Sequence, residues 1–170
     1  MVPTAKSIAW LYTRTGIPSS DASYSQLQSA AAAFGVELLL LSATSVGDFE
    51  GIFRTLVDRH IGAVSVGSDA VLNNNRERLI ALAAQHGIPA IYHIRECVTA
   101  GGLASYGTRY SEAFRQVGDY VGRVLNGEWP ENLPVQQITK IELVINMGAA
   151  KALGLSIPPT LFATADEVIE

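Results

Sequence analysis

Along the first hundred residues, short apolar runs alternate with longer segments whose composition and spacing suit helices. Ser7 to Tyr12 (SIAWLY) is an apolar run of strand length, followed by the turn-rich Thr13 to Asp21 and then by Ala22 to Phe34, a predicted helix closed at Gly35. Val36 to Leu41 (VELLLL) is the second strand. Ser45 then caps a helix over Val46 to His60, with Asp48 placed three residues on to complete a capping pair. Ala63 to Val66 is the third strand. Asn73 or Asn74 caps a helix over Asn75 to His86, Gly87 ends it, and Ile88 to Tyr92 is the fourth strand. Strands this apolar, separated by helices, predict a parallel sheet covered on both faces. Right-handed crossovers then give a doubly wound α/β lobe.

The pattern continues less regularly beyond residue 100. Gly101 to Gly107 (GGLASYG) reads as a short strand, and Thr108 as the cap of a helix from Arg109 to Asn126 that Gly127 ends. Ala113, Val117, Tyr120, Val121 and Val124 recur at helical spacing, which predicts a core-facing stripe. After a connector of Trp129, Pro130, Leu133 and Pro134 come a strand over Ile141 to Ile145, a short helix capped by Asn146, and a break at Ile157, Pro158 and Pro159 before a last turn around Ala165 to Ile169. These pieces read as parts of a second layer or lobe.

Composition narrows the chemistry. A chain of 170 residues, 48% hydrophobic and 16% charged, is long enough to bury a core. Its net charge of −4 and 12 scattered Lys and Arg provide no electrostatic footprint for nucleic acid. The single cysteine, Cys97, has no intrachain disulfide partner and no Cys/His cluster for a metal, so it reads as a small core residue. No apolar run reaches the roughly 18 residues of a membrane span.

In a sheet of this kind ligands sit beyond the carboxyl ends of the strands, so the loops there carry the candidate chemistry. Thr13, Arg14 and Thr15 lead to Ser19 and Ser20 at a helix start, where first-turn amides can bind a carboxylate or phosphate, or the serines can simply cap. Asp69, after the third strand, can hold an ammonium group, accept a phosphoryl group or cap the next turn. Arg95 and Glu96, after the fourth, can grip a zwitterion or form an ordinary exposed ion pair. His60 and His86 read as structural residues in the last turns of helices. His93 is the one histidine in a functional loop, and it has no nucleophile or carboxylate at diagnostic spacing. No glycine-rich dinucleotide fingerprint and no phosphate loop is present, so no cofactor, metal or catalytic residue is assigned.

The segments IAWLY, IALAAQHGIPAIY, RECVTAGGL, GGLASYG, the LPV connector, ELVIN, AKALGL, the Pro-Pro pair and ADEVIE, in this order, resemble the ABC-type transporter substrate-binding proteins related to tryptophan-binding components. The resemblance runs from about Lys6 to Glu170 and covers the second half of a family member, whose full chain has an export signal and an N-terminal lobe before this point. It implies a periplasmic-binding-protein fold, with residues 6–99 as the second α/β lobe and residues 100–170 as the crossover and C-terminal segment that completes the first lobe. The implied function is non-catalytic recognition of a small polar or amino-acid-like ligand and its delivery to an ABC transporter membrane subunit. A ligand-sensing regulatory module of the same fold is the alternative, and a flavodoxin-like enzyme the remote one.

Carried over residue by residue, the resemblance aligns Ser19, Asp69, Arg95 and Glu96 with ligand-holding loops. Ser19 and Ser20 then face a ligand carboxylate, and Asp69 or Glu96 an ammonium. Thr13 and Arg14 depart from the family's usual Asn-Pro. The family's location implies a periplasmic or extracytoplasmic protein; read with Met1 as the true start, the chain carries no export signal and is cytoplasmic. The amphipathic tail predicts a homodimer in which C-terminal segments are exchanged or paired.

Overall fold

A computed structural model describes residues 1–13, 21–136 and 140–170, with side chains described from residue 25 in the second span. Seven strands form one sheet: β1 (Ser7–Thr13), β2 (Glu37–Ala43), β3 (Ala63–Val66), β4 (Ala90–Tyr92), β5 (Ala104–Thr108), β6 (Ile141–Asn146) and β7 (Glu167–Ile169), in the order β2-β1-β3-β4-β5-β6-β7. Strands β1 to β5 are parallel, β6 runs antiparallel to β5, and β7 runs parallel to β6. The helices are α1 (Asp21–Ala33), α2 (Phe49–Asp58), α3 (Ala70–Asn74), α4 (Arg76–Gln85), α5 (Arg95–Thr99), α6 (Tyr110–Leu125), α7 (Met147–Ala152) and α8 (Pro159–Thr164). The doubly wound α/β class is the predicted one.

Several local expectations change. Ser45 and Asp48 do form the capping box, but around a 3-10 turn, Val46–Asp48, that feeds α2. His60 lies beyond the end of α2 with φ 53°, not in its last turn. Asp69 caps an unforeseen helix, α3, accepting a hydrogen bond from the Val71 amide at 2.7 Å. The cap expected from Asn73 or Asn74 is absent: Asn75 precedes α4, and its amide donates back to the Val71 carbonyl. Arg95 and Glu96 open a five-residue helix, too short for periodicity to reveal. The tail strands β5, β6 and β7 extend the first sheet, where the sequence suggested a second layer.

Burial separates the two faces of the sheet. On one face Ala9, Leu11, Val64, Val66, Ala90 and Tyr92 are sealed under α2, α4 and α5 by Phe49, Phe53, Leu56, Leu79 and Leu82. α2 passes from β2 over β1 to β3, whereas α1 joins β1 to β2 in the opposite direction, so right-handed crossovers put α1 on the other face. There Ile8, Trp10, Ala63 and Ile91 are only half-buried and Ser65 is exposed. Among the described residues, the expected cover on both faces is therefore incomplete. α7 closes part of this second face with a small cluster around Leu103, Ala104 and Ala150.

α6 departs furthest from expectation. The stripe read as core-facing is exposed: Val117, Val121 and Val124 are open to solvent, and no residue of α6 is buried.

Candidate functional site

The strand order reverses about β1: its successor β2 lies on one side and β3 on the other. Loops diverge at such a point and leave a crevice beyond the carboxyl ends of the strands. In this chain the crevice lies between the end of β1 and the turn after β3. It is lined by Trp10, Tyr12, Thr13, Gly67, Ser68 and Asp69.

Each lining residue has a local reason to be there. Thr13 is the last residue of β1, buried to 3% exposure. Gly67 donates its amide to the Leu11 carbonyl at 2.8 Å, and a Cβ there would stand 2.9 Å from Trp10 Nε1. Only glycine leaves the indole edge in place. Trp10 and Tyr12 point to the same face, their ring centroids 6.3 Å apart and tilted by 54°. Asp69 is held by its cap to α3, which fixes one carboxylate oxygen at the crevice wall.

Two predicted residues thus come together, Thr13 and Asp69. Arg95 and Glu96 stand at the start of α5, two strands from β1, and do not line the crevice. Arg95 is engaged elsewhere: its Nη2 lies 2.9 Å and 2.8 Å from the two carboxylate oxygens of Glu167, tying α5 to β7. Glu96 is exposed. Ser19, Ser20 and Arg14 lie outside the described residues.

Sequence reasoning missed the aromatic wall of Trp10 and Tyr12, which it took only as part of a strand. A buried charge also escaped it. Glu142, 2% exposed in β6, accepts a hydrogen bond from Arg109 Nε at 2.7 Å on the oxygen that also lies 2.7 Å from Arg109 Nη2 as an ion pair, while its other oxygen has no hydrogen-bond partner. A lone carboxylate inside the apolar run IELVI was the available signal. The pair sits where the chain leaves the sheet after Thr108 and re-enters at Ile141, residues that face each other across β5 and β6.

His93 closes this edge. Gly107 packs so tightly on its backbone that a Cβ would lie 2.1 Å from the His93 carbonyl oxygen. Neither imidazole nitrogen makes a hydrogen bond of ordinary geometry. Burial holds the ring below the usual histidine pKa, opposed by the Val66 backbone and the charge of Glu96. Cys97 is buried under α5, and burial pushes its thiol up to about 11, so it is no nucleophile at neutral pH. Among the described residues no three His, Cys, Asp or Glu gather as a metal site, and no helix is long and apolar enough to cross a membrane.

The crevice holds about 20 Å³. That is room for roughly one water molecule, whereas small-molecule sites span on the order of 300–1,000 Å³. By itself it cannot enclose a small molecule. A roomier cavity of about 410 Å³, between α4 and α7 and lined by Ile80, Leu103, Asn146 and Leu153, lies at the opposite, amino edge of the parallel strands.

The family model for ABC transporter substrate binding proteins matches residues 1–169. The chain belongs to this family. A tyrosine-binding protein of Clostridioides difficile (strain R20291) is 23% identical over 155 residues, covering 91% of this chain and 44% of that protein. Among solved structures, a conserved domain protein from Vibrio cholerae O1 biovar eltor str. N16961 superposes with TM-score 0.82 at 28% identity, covering 98% of this chain and 56% of the other. A Streptococcus pneumonia ABC domain in complex with L-Trp does so with TM-score 0.81 at 24% identity, covering 98% and 57%. The fold is therefore periplasmic-binding-protein-like. The chain spans about half the length of the relatives it matches.

Proposed function

We propose that this chain is a ligand-binding lobe of an ABC transporter solute-binding protein for an amino-acid-like ligand, most simply one with an aromatic side chain. The carrying observation is the crevice at the strand-order reversal: a polar end of Thr13 and Asp69 beside an aromatic wall of Trp10 and Tyr12, with too little volume to enclose a ligand alone. Asp69 faces the ligand ammonium, the segment with Ser19 and Ser20 takes the carboxylate, and Tyr12 and Trp10 flank the side chain. Arg95 and Glu96, outside the crevice at the start of α5, meet the part of a ligand that extends along the carboxyl edge past β3, Arg95 on release from Glu167.

The opposing wall comes from outside residues 1–170. In this reading residues 6–99 form one lobe, and residues 100–170 are the return segment whose β6 and β7 rejoin that lobe while α6 reaches beyond it. Closure of two walls buries the ligand and supplies most of the affinity. The closed, loaded form is recognised by a membrane transport subunit on the extracytoplasmic side. Two relatives, a tyrosine-binding protein and a domain in complex with L-Trp, support the aromatic amino-acid class.

Calorimetric titration with L-tyrosine and L-tryptophan tests this reading. Asp69→Asn keeps an oxygen able to cap α3 but removes the charge, so it should weaken binding at least tenfold without lowering the melting temperature by more than a few degrees. Equal affinity in the wild type and Asp69→Asn would remove Asp69 from the site, and a full-length protein containing residues 1–170 that gives no heat with either amino acid would reject the ligand class.

A further inference from the structure

We propose that the cavity between α4 and α7 is a second ligand site, for an uncharged and largely apolar molecule whose one oxygen hydrogen-bonds to Tyr92. The site is separate from the crevice and rests on nothing in the reading given for it.

Short side chains on two facing helices create the space. The segment ALAAQHG closes α4 and NMGAAKALG forms α7. Between them Ala83, Ala84, Ala149 and Ala152 leave about 410 Å³, lined further by Ile80, Ile88, Leu103 and Leu153. That volume falls within the roughly 300–1,000 Å³ of small-molecule sites. Met1 and Val2 border a different furrow, over Ala63 and Ile91. The walls of the cavity are α4, the turn into β5 and α7.

Two glycines shape the third wall. Gly101, with φ 103°, and Gly102 carry the chain into β5. A Cβ on Gly102 would stand 2.8 Å from Tyr92 Cε2 and 2.7 Å from the Cys97 carbonyl oxygen. Glycine therefore lets the Tyr92 ring lie directly under this wall, turned back from the end of β4 toward the amino edge.

Tyr92 supplies the polar feature of an otherwise apolar space. It is 3% exposed, and its hydroxyl makes no hydrogen bond among the described residues. Buried hydroxyls nearly always have a partner, and leaving one unpaired is costly. Burial raises the Tyr92 pKa well above the ordinary tyrosine value, so the group is a neutral donor at physiological pH. Asn146 brings a second donor: its Oδ1 accepts from the Ala149 amide at 2.8 Å, while its Nδ2 reaches the Val98 carbonyl only at 3.4 Å.

Charge then selects the ligand class. No Lys, Arg or His lines the cavity, and its one charged residue, Glu170, stands at the exposed rim. A carboxylate or phosphate would lose its hydration with no cation to replace it. Amino acids, the ligands proposed for the crevice, are thereby excluded here. A neutral molecule fits, its apolar body against Ile80, Ile88, Leu103 and Leu153 and a carbonyl or hydroxyl oxygen accepting from Tyr92.

β-Naphthol, an uncharged bicyclic phenol, is the probe, and naphthalene is its counterpart without the oxygen. Titrated into a full-length protein containing residues 1–170 and followed by amide shifts, β-naphthol should bind saturably at submillimolar concentration. Ile88, Gly102, Leu103 and Ala149 should move, and Thr13 and Asp69 should not. Tyr92→Phe deletes an oxygen that bonds to nothing in the described chain, so it should preserve the melting temperature and weaken β-naphthol about three- to tenfold, with naphthalene unaffected. Ala152→Trp, at an exposed position of α7, places an indole in the cavity and should abolish binding of both. Absence of saturable binding, shifts confined to the carboxyl edge, unchanged β-naphthol affinity in Tyr92→Phe, or binding that survives Ala152→Trp would each overturn the site. The two readings fail separately. L-tyrosine should not displace β-naphthol, and a protein that binds β-naphthol but no amino acid refutes the crevice ligand alone.

Discussion

Gly107→Ala tests the packing that shapes the carboxyl edge. Gly107 lies in β5 opposite Glu142, and a Cβ built there stands 2.1 Å from the His93 carbonyl oxygen, 2.9 Å from its carbon and 3.3 Å from its Cα. All three are backbone atoms, so no side-chain rotation relieves the clash. Strand β5 or the end of β4 must move by about 1 Å, and overpacking of this kind costs roughly 1–3 kcal/mol; the rigid neighbour places this case at the upper end. For a domain of this size that is a melting-temperature loss of about 6–12 °C. Gly51→Ala is the matched control. Gly51 is exposed within α2, nothing lies within 4 Å of its Cβ position, and alanine there should stabilise by about 0.5–1 kcal/mol. Urea unfolding followed by circular dichroism measures both. A Gly107→Ala protein within 0.5 kcal/mol of wild type, roughly the scatter of a neutral surface change, would refute the close contact between β5 and His93.

Two further outcomes follow from the core and from His93. Phe53 is fully buried and stacks on His86 with ring centroids 6.1 Å apart, so Phe53→Ala should cost about 3–5 kcal/mol in urea unfolding. Burial lowers the His93 pKa below its unfolded value of about 6.5. The folded state thus favours the neutral ring: its contribution is complete above pH ~6.5 and is lost as pH falls from there through the folded pKa. His93→Phe should flatten stability against pH on that acid side, and an identical slope in both proteins would contradict the assignment.

The alternation of strands and helices through residue 92 was readable because each segment is long enough for its period to show and is bounded by glycine or a capping residue. The reading failed where tertiary context decides. Strand β6 shows the same apolar run whether it pairs parallel, antiparallel or in another layer, and its antiparallel place beside β5 depends on the excursion through α6. That helix has the stripe of a core helix, so periodicity could not reveal that nothing among the described residues covers it. At the site, Asp69 was legible as a strand-end carboxylate, and its capping and crevice positions are compatible. Arg95 reads in the sequence as a neighbour of Glu96, gripping a zwitterion or forming an exposed ion pair, because its partner Glu167 lies 72 residues away. Trp10 and Tyr12 were hidden by their own strand, since alternation does not say that one face stays open.

The most direct test of the central claim is amide shift mapping by NMR during titration with L-tyrosine. The account predicts changes at the carboxyl edge, at Thr13, Gly67 to Asp69 and the start of α5, with Ile88, Leu103 and Ala149 unmoved. Changes confined to those last three residues, around the cavity at the amino edge, would contradict it.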